Sequence, residues 1–215
     1  MATDCGGTTD QLHRLVDVMT ALRSGCPWDA EQTHRSLVHY LVEETLEVVE
    51  AIETGDDQHL REELGDLLLQ VVFHAEIARR EGRFDIEDVA RGISDKLIAR
   101  HPYVFAGADV PDDLMSSWEQ RKQAEKGRTS SLDGIPGRMS ALTRANKVIS
   151  RAGWHAVDVP VAAVDAEPIS ATALGAEILK LAARAQAAGI DPEQATRDAL
   201  RDVEVRIRDA EANKT

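Results

Sequence analysis

A chain of 215 residues can bury a sizeable core in one or two domains, and two cysteines, Cys5 and Cys26, are too few for a disulfide framework. A formal charge of −13 argues against the basic stripe that a DNA- or RNA-binding surface needs. No apolar run approaches the length of about 18 residues that suggests a membrane span, and MATDCGGTTD lacks the basic-then-apolar pattern of a signal peptide, so a reduced cytoplasmic protein is expected.

Few aromatic residues, little alternation and long stretches of 3.6-residue period predict an all-α fold. Residues 1–8 read as a tail. Leu12, Leu15, Val16, Met19 and Leu22 space a helix over roughly 9–23, and Ser24-Gly25-Cys26-Pro27 stops it. Asp29 is placed to cap the next helix, with Gln32 completing a capping box. Trp28 either plugs this loop against the core or lines a pocket.

Leu41 to Val72 reads as two helices joined at Thr54-Gly55-Asp56. Leu41, Leu46, Val48, Val49 and Ile52 give the first an apolar stripe. Leu60, Leu64, Leu67, Leu68, Val71 and Val72 give the second. Within these runs Glu44 and Glu47, then Glu63 and Asp66, form pairs at i, i+3, so each pair leaves one side of its helix. Glu44 and Asp66 lie equally far from Gly55 in sequence, as do Glu47 and Glu63. In an antiparallel hairpin Glu44 therefore faces Asp66 and Glu47 faces Glu63, about 12 to 17 Å above the turn. Four carboxylates so gathered repel one another, and a shared divalent cation removes the conflict. An all-oxygen ligand set favours Mg²⁺ or Mn²⁺ over zinc. One such acid pair is ordinarily a solvated face; two in mirror register point to a metal site.

The second helix runs to about Glu81 and stops at Gly82. His74, near its end, reads as a packed or surface histidine rather than a ligand. Asp85 caps a further helix with Ile86, Val89, Ile93 and Leu97 as its buried stripe. Lys96 and Arg100 project together from it at i, i+4, and Pro102 ends it. Residues 106–113 form a loop, Leu114 to Glu125 a helix carrying Trp118 and Lys122, and Gly127 to Gly137 a linker. Met139 to Ala152 resumes as a helix, and its basic residues Arg138, Arg144, Lys147 and Arg151 read as a solvated face, with a place near a phosphate tail as the alternative.

Glu43-Glu44-Thr45-Leu46-Glu47 followed by Glu63-Leu64-Gly65-Asp66 resembles the E-E-x-x-E…E-x-x-D signature of the MazG nucleoside triphosphate pyrophosphohydrolases. Cys26-Pro27-Trp28-Asp29, Ser94-Asp95-Lys96 and Arg100-His101-Pro102 resemble the same family. The likeness runs from about Leu12 to Ile149. It implies an all-α, four-helix-bundle-type, homodimeric enzyme of the cytoplasm that uses Mg²⁺ to cleave nucleoside triphosphates to monophosphate and pyrophosphate. Glu44, Glu47, Glu63 and Asp66 would hold the metal. Lys96 and Arg100 would grip the phosphates, and Trp118 and Lys122 would help to form the nucleotide site.

Long MazG proteins carry a second copy of the domain, and here it is degenerate. After Gly153-Trp154 an irregular stretch, HAVDVPVAAVDAEPIS, replaces a first acidic helix. Ala173-Leu174-Gly175-Ala176 stands where E-L-G-D is expected. Ile178, Leu179 and Leu181 suggest a helix ending near Gly189, and Asp191-Pro192 starts another. The expected organisation is a tail at 1–8, a catalytic domain at 9–126, a linker at 127–137 and a metal-free helical second half at 138–215. The expected role is broad-specificity removal of unwanted nucleotides. A narrower dUTP or damaged-nucleotide hydrolase and a non-catalytic, metal-stabilised interaction module are the alternatives.

Overall fold

The computed structural model describes residues 10–127, 129–155, 157 and 168–213. Among these the fold is all-α. The expected tail and most of the irregular stretch before the last two helices lie outside the described residues. The chain forms two compact units, residues 1–105 and residues 106–215. No helix among the described residues is long and apolar enough to cross a membrane.

The first unit holds α1 (Gln11–Gly25), α2 (Pro27–Glu31), α3 (Val38–Thr54), α4 (Asp57–Arg80), α5 (Ile86–Arg100) and α6 (Pro102–Phe105). Its central element is α4, against which α1, α3 and α5 all pack. Met19, Leu37, Val72, Phe73 and Ile77 form the buried core, with Leu15, Val16, Tyr40, Leu68, Leu69 and Ile86 around it. Burying a side chain such as Phe73 contributes about 2 to 3 kcal/mol. From α4 the core takes Leu68 onward, which leaves the helix's first half for polar chemistry. Glu76, 4% exposed, ties α4 to α1. It accepts from Arg79 Nε at 2.7 Å, Arg80 Nε at 2.8 Å and Thr20 Oγ1 at 3.3 Å.

Glycine and aspartate set the hairpin. Gly55 adopts φ 74°, the left-handed conformation that ends α3, and its N–H donates to the Ala51 carbonyl at 3.2 Å. Asp56 then caps α4, its Oδ1 accepting from Gln58 N at 2.9 Å and His59 N at 3.1 Å. Asp85 and Asp88 form a reciprocal capping box on α5.

Several expectations are corrected. Asp29 caps nothing: Pro27 starts a short helix from Cys26, Asp29 lies inside it, and Gln32 Nε2 donates to the Trp28 carbonyl instead. Proline at the first helical position decides the start. The apolar residues of α3 do not form one buried stripe. Val48 and Ala51 are buried, whereas Val42, Leu46, Val49 and Ile52 are exposed on the other side. Likewise Val89, Ile93 and Leu97 of α5 are exposed, as is Leu64 of α4. A helix that packs on one neighbour covers one face, and these have apolar residues on two.

The second unit holds α7 (Leu114–Lys126), α8 (Ala141–Trp154), α9 (Ala171–Ala187) and α10 (Pro192–Ala212). Both α8 and α9 pack against α10. Its core is Leu132, Ile135, Val148, Ala152, Val157, Leu200 and Ile207. The stretch expected as a linker thus supplies Leu132 and Ile135 to a core. Nor do Arg144 and Arg151 lie on a solvated face. Arg144 Nη2 meets Glu204 Oε1 at 2.7 Å, and Arg151, 1% exposed, meets Glu119 Oε1 on α7 at 2.9 Å. Buried guanidiniums need such carboxylate partners. These two draw α7 and α10 onto α8. Asp191 caps α10, as its sequence predicts.

Candidate metal centre

The acids of α3 and α4 lie between the Gly55 turn and the first core. One carboxylate oxygen from each of Glu44, Glu63 and Asp66 comes within 4.8 Å of the other two. At that spacing two full charges repel by about 3 kcal/mol at an effective dielectric near 20. The Glu44 carboxyl is accordingly held above the usual carboxylate value, by burial first, then by the charges of Asp66 and Glu47 and a hydrogen bond with Glu47.

The pairing differs in one respect from the mirror register. Glu44 does face Asp66, but Glu63 joins these two, and Glu47 stands outside the set, beside Glu44. Equal height fixes position along the axis and not direction around it.

The chemistry of the three convergent carboxylates suits a hard divalent cation: they supply both the charge and the oxygen donors that Mg²⁺ or Mn²⁺ takes. Glu63 is 9% exposed, so its charge is held where solvent screens it least. Beside it is a residue that sequence reading passed over. His59 Nε2 lies 3.1 Å from Glu63 Oε1 at i, i+4. That spacing was visible in the sequence as the signal.

Lys96 and Arg100 occupy successive turns of α5, which packs on α4. Lys96 is half-buried and Arg100 is 6% exposed. Trp118 and Lys122 belong to α7 in the other unit. There Lys122 Nζ sits 4.7 Å from the Trp118 ring centroid and 3.3 Å from Glu119 Oε2. Trp28 is 50% exposed and meets Tyr40 and Phe73 edge-on, at 5.9 and 6.5 Å. His74 stacks on His34 with the ring planes 9° apart and is no part of the acid cluster.

Residues 32–105 match the model of the MazG nucleotide pyrophosphohydrolase domain. That range contains all four acids, Lys96 and Arg100. An uncharacterized 26.1 kDa protein from the blaB 3′ region of Streptomyces cacaoi is 45% identical over 207 residues, covering 94% of this chain and 83% of that one. The nucleoside triphosphate pyrophosphohydrolase of Escherichia coli (strain K12) is 48% identical over 150 residues, covering 66% of this chain and 57% of that enzyme. The nucleoside triphosphate pyrophosphohydrolase/pyrophosphatase MazG of Thermotoga maritima is 47% identical over 150 residues, with 68% and 58% covered. The chain therefore spans a little over half the length of these two enzymes. The chain belongs to the MazG nucleotide pyrophosphohydrolase family.

Proposed function

We propose that this protein hydrolyses nucleoside triphosphates to nucleoside monophosphate and pyrophosphate with the help of Mg²⁺, Mn²⁺ being an alternative. The observation that carries this reading is the convergence of Glu44, Glu63 and Asp66 within 4.8 Å. The names of the Escherichia coli and Thermotoga maritima relatives support it. Glu44, Glu63 and Asp66 would hold the ion, with Glu47 beside Glu44. A bound ion would supply positive charge against the phosphates and would lower the pKa of a water bound to it. Water then attacks the α-phosphorus and the bond to the β-phosphate breaks, so that pyrophosphate leaves as a unit.

Lys96 and Arg100 contact the phosphates. A lysine offers a compact charge and an arginine a planar fork that matches phosphate oxygens. Because these contacts engage the phosphates, which all nucleoside triphosphates share, the specificity is broad and the role is removal of unwanted nucleotides. The reaction takes place in the cytoplasm, where the nucleotide pool is. The four acids, Lys96 and Arg100 all lie in the first unit, which is the catalytic part, and the second unit, whose E-L-G-D position reads Ala173 to Ala176, is structural.

The enzyme works as a homodimer. Val42, Leu46, Val49 and Ile52 expose one apolar face of α3, each more than 40% accessible, and a contiguous patch of this kind marks an interaction surface. Incubation of ATP, GTP, dCTP and dUTP with the protein, with and without Mg²⁺, tests the activity. Monophosphate and pyrophosphate are expected from each. Release of inorganic phosphate instead would refute it.

A further inference from the structure

His59 is the third residue of α4, and its backbone N–H donates to the capping Asp56 Oδ1 at 3.1 Å. One turn further on, Glu63 places Oε1 3.1 Å from the His59 ring Nε2. The side chain of Glu63 is 12% exposed and that of His59 39%, so the imidazole approaches this carboxylate from the more open side. Glu63 also belongs to the three acids whose oxygens converge, and His59 does not. The histidine therefore touches the cluster through one member only.

We infer that His59 is a positioning residue of the metal centre: its Nε2–H donates to Glu63 Oε1 and fixes that carboxylate in the orientation in which it meets the ion. The inference rests on the metal-dependent reading proposed above. Three physical points carry it. Glutamate has three side-chain torsions, and holding a long side chain in one rotamer costs conformational entropy. Before an ion arrives, Glu44 and Asp66 repel Glu63 and favour rotamers that turn it away. A hydrogen-bond donor held 3.1 Å from Oε1 counteracts both effects. A carboxylate also has two oxygens and about four lone-pair sites, so the imidazole contact leaves acceptor capacity for the ion. The contact is of the kind by which outer groups orient metal ligands, more often seen on histidine ligands held by carboxylates. Here the roles are exchanged. Asp56 completes the arrangement: it caps α4, holds the His59 backbone, and so links the hairpin turn to the orientation of a metal ligand.

Calorimetric titration of Mn²⁺ into the metal-free protein, checked by the signal of free Mn²⁺ in electron paramagnetic resonance, tests the inference with three proteins. The natural protein is compared with His59→Leu and His59→Gln. His59→Leu is expected to weaken Mn²⁺ binding by about 10- to 100-fold, the range for lost outer contacts. Its metal-free melting temperature should stay within about 2 °C of the natural protein, as for other surface substitutions. His59→Gln, which carries an amide N–H to the same oxygen, should recover binding to within about three-fold, less than 1 kcal/mol. Equal Mn²⁺ affinity in the natural protein and His59→Leu, or equal losses in both variants, would overturn this inference alone. Failure of the natural protein to bind any Mn²⁺ would overturn the metal-centre reading as well.

Discussion

Glu44 on α3 and Asp66 on α4 face each other across the hairpin, with an oxygen of each inside a 4.8 Å cluster. Burial and the charges of Asp66 and Glu47 raise the Glu44 carboxyl above its ordinary value of 4.5. A carboxyl raised on folding contributes stability that is fully present below its unfolded value and is lost as pH rises through its folded value. In metal-free protein this contribution therefore disappears from about pH 4.5 upward. A bound cation offsets that loss. The rise in melting temperature on adding Mg²⁺ should be larger at neutral pH than near pH 5. Glu44→Gln should narrow the difference in a set of calorimetric scans. A Mg²⁺ effect that does not change with pH would contradict this.

Glu63 and Glu47 are predicted to differ in weight. Glu63 is inside the converging set and Glu47 is beside it. Glu63→Gln should lower turnover of nucleoside triphosphate by more than about 100-fold, beyond the usual cost of an outer contact, and Glu47→Gln by about 10- to 100-fold. Steady-state rates at saturating Mg²⁺ decide. If Glu47→Gln is the more damaging, the inner position belongs to Glu47.

Glu76 is predicted to matter for stability rather than catalysis. Its buried carboxylate accepts from Arg79, Arg80 and Thr20, and Arg79 is the main cause of its lowered pKa. Removing one partner of a buried pair typically costs about 3 to 5 kcal/mol. Because both arginines reach solvent, Glu76→Ala should sit at the low end, about 3 kcal/mol. Chemical denaturation measures it, and a change below about 1 kcal/mol, the usual ceiling for a surface ion pair, would show that the link is dispensable.

Leu46, 62% exposed on α3, is predicted to sit in the subunit interface. Leu46→Glu should convert a dimer to monomer in analytical ultracentrifugation, because a buried unpaired charge opposes association. A dimer of unchanged affinity would place the interface elsewhere.

Local chemistry made much of this fold readable before any coordinates. Gly55 with Asp56, Asp85 with Asp88, and Asp191 with Pro192 each mark a helix boundary by backbone geometry that few other residues satisfy. The spacing of acids about Gly55 foretold the Glu44–Asp66 encounter for the same reason. What pattern alone does not carry is direction around a helix and choice of neighbour. Leu46 and Val49 look like core residues because they are apolar, yet α4 covers only the Val48 and Ala51 side. Arg151 looks like a surface cation, yet Glu119 from another helix buries it. Glu47 and Glu63 match in height, yet only Glu63 joins Glu44 and Asp66 in the cluster. His59 was legible as an i, i+4 partner of Glu63, but a lone histidine beside an acid is common enough on helices that only the 3.1 Å contact singles it out.

Hydrolysis in water enriched in ¹⁸O tests the central claim most directly, because it reports which phosphorus the water attacks. With Mg²⁺ present, the heavy oxygen should appear in the nucleoside monophosphate and not in the pyrophosphate. Label in pyrophosphate, or in inorganic phosphate released beside a diphosphate, would contradict attack at the α-phosphorus and with it the role given to Glu44, Glu63 and Asp66.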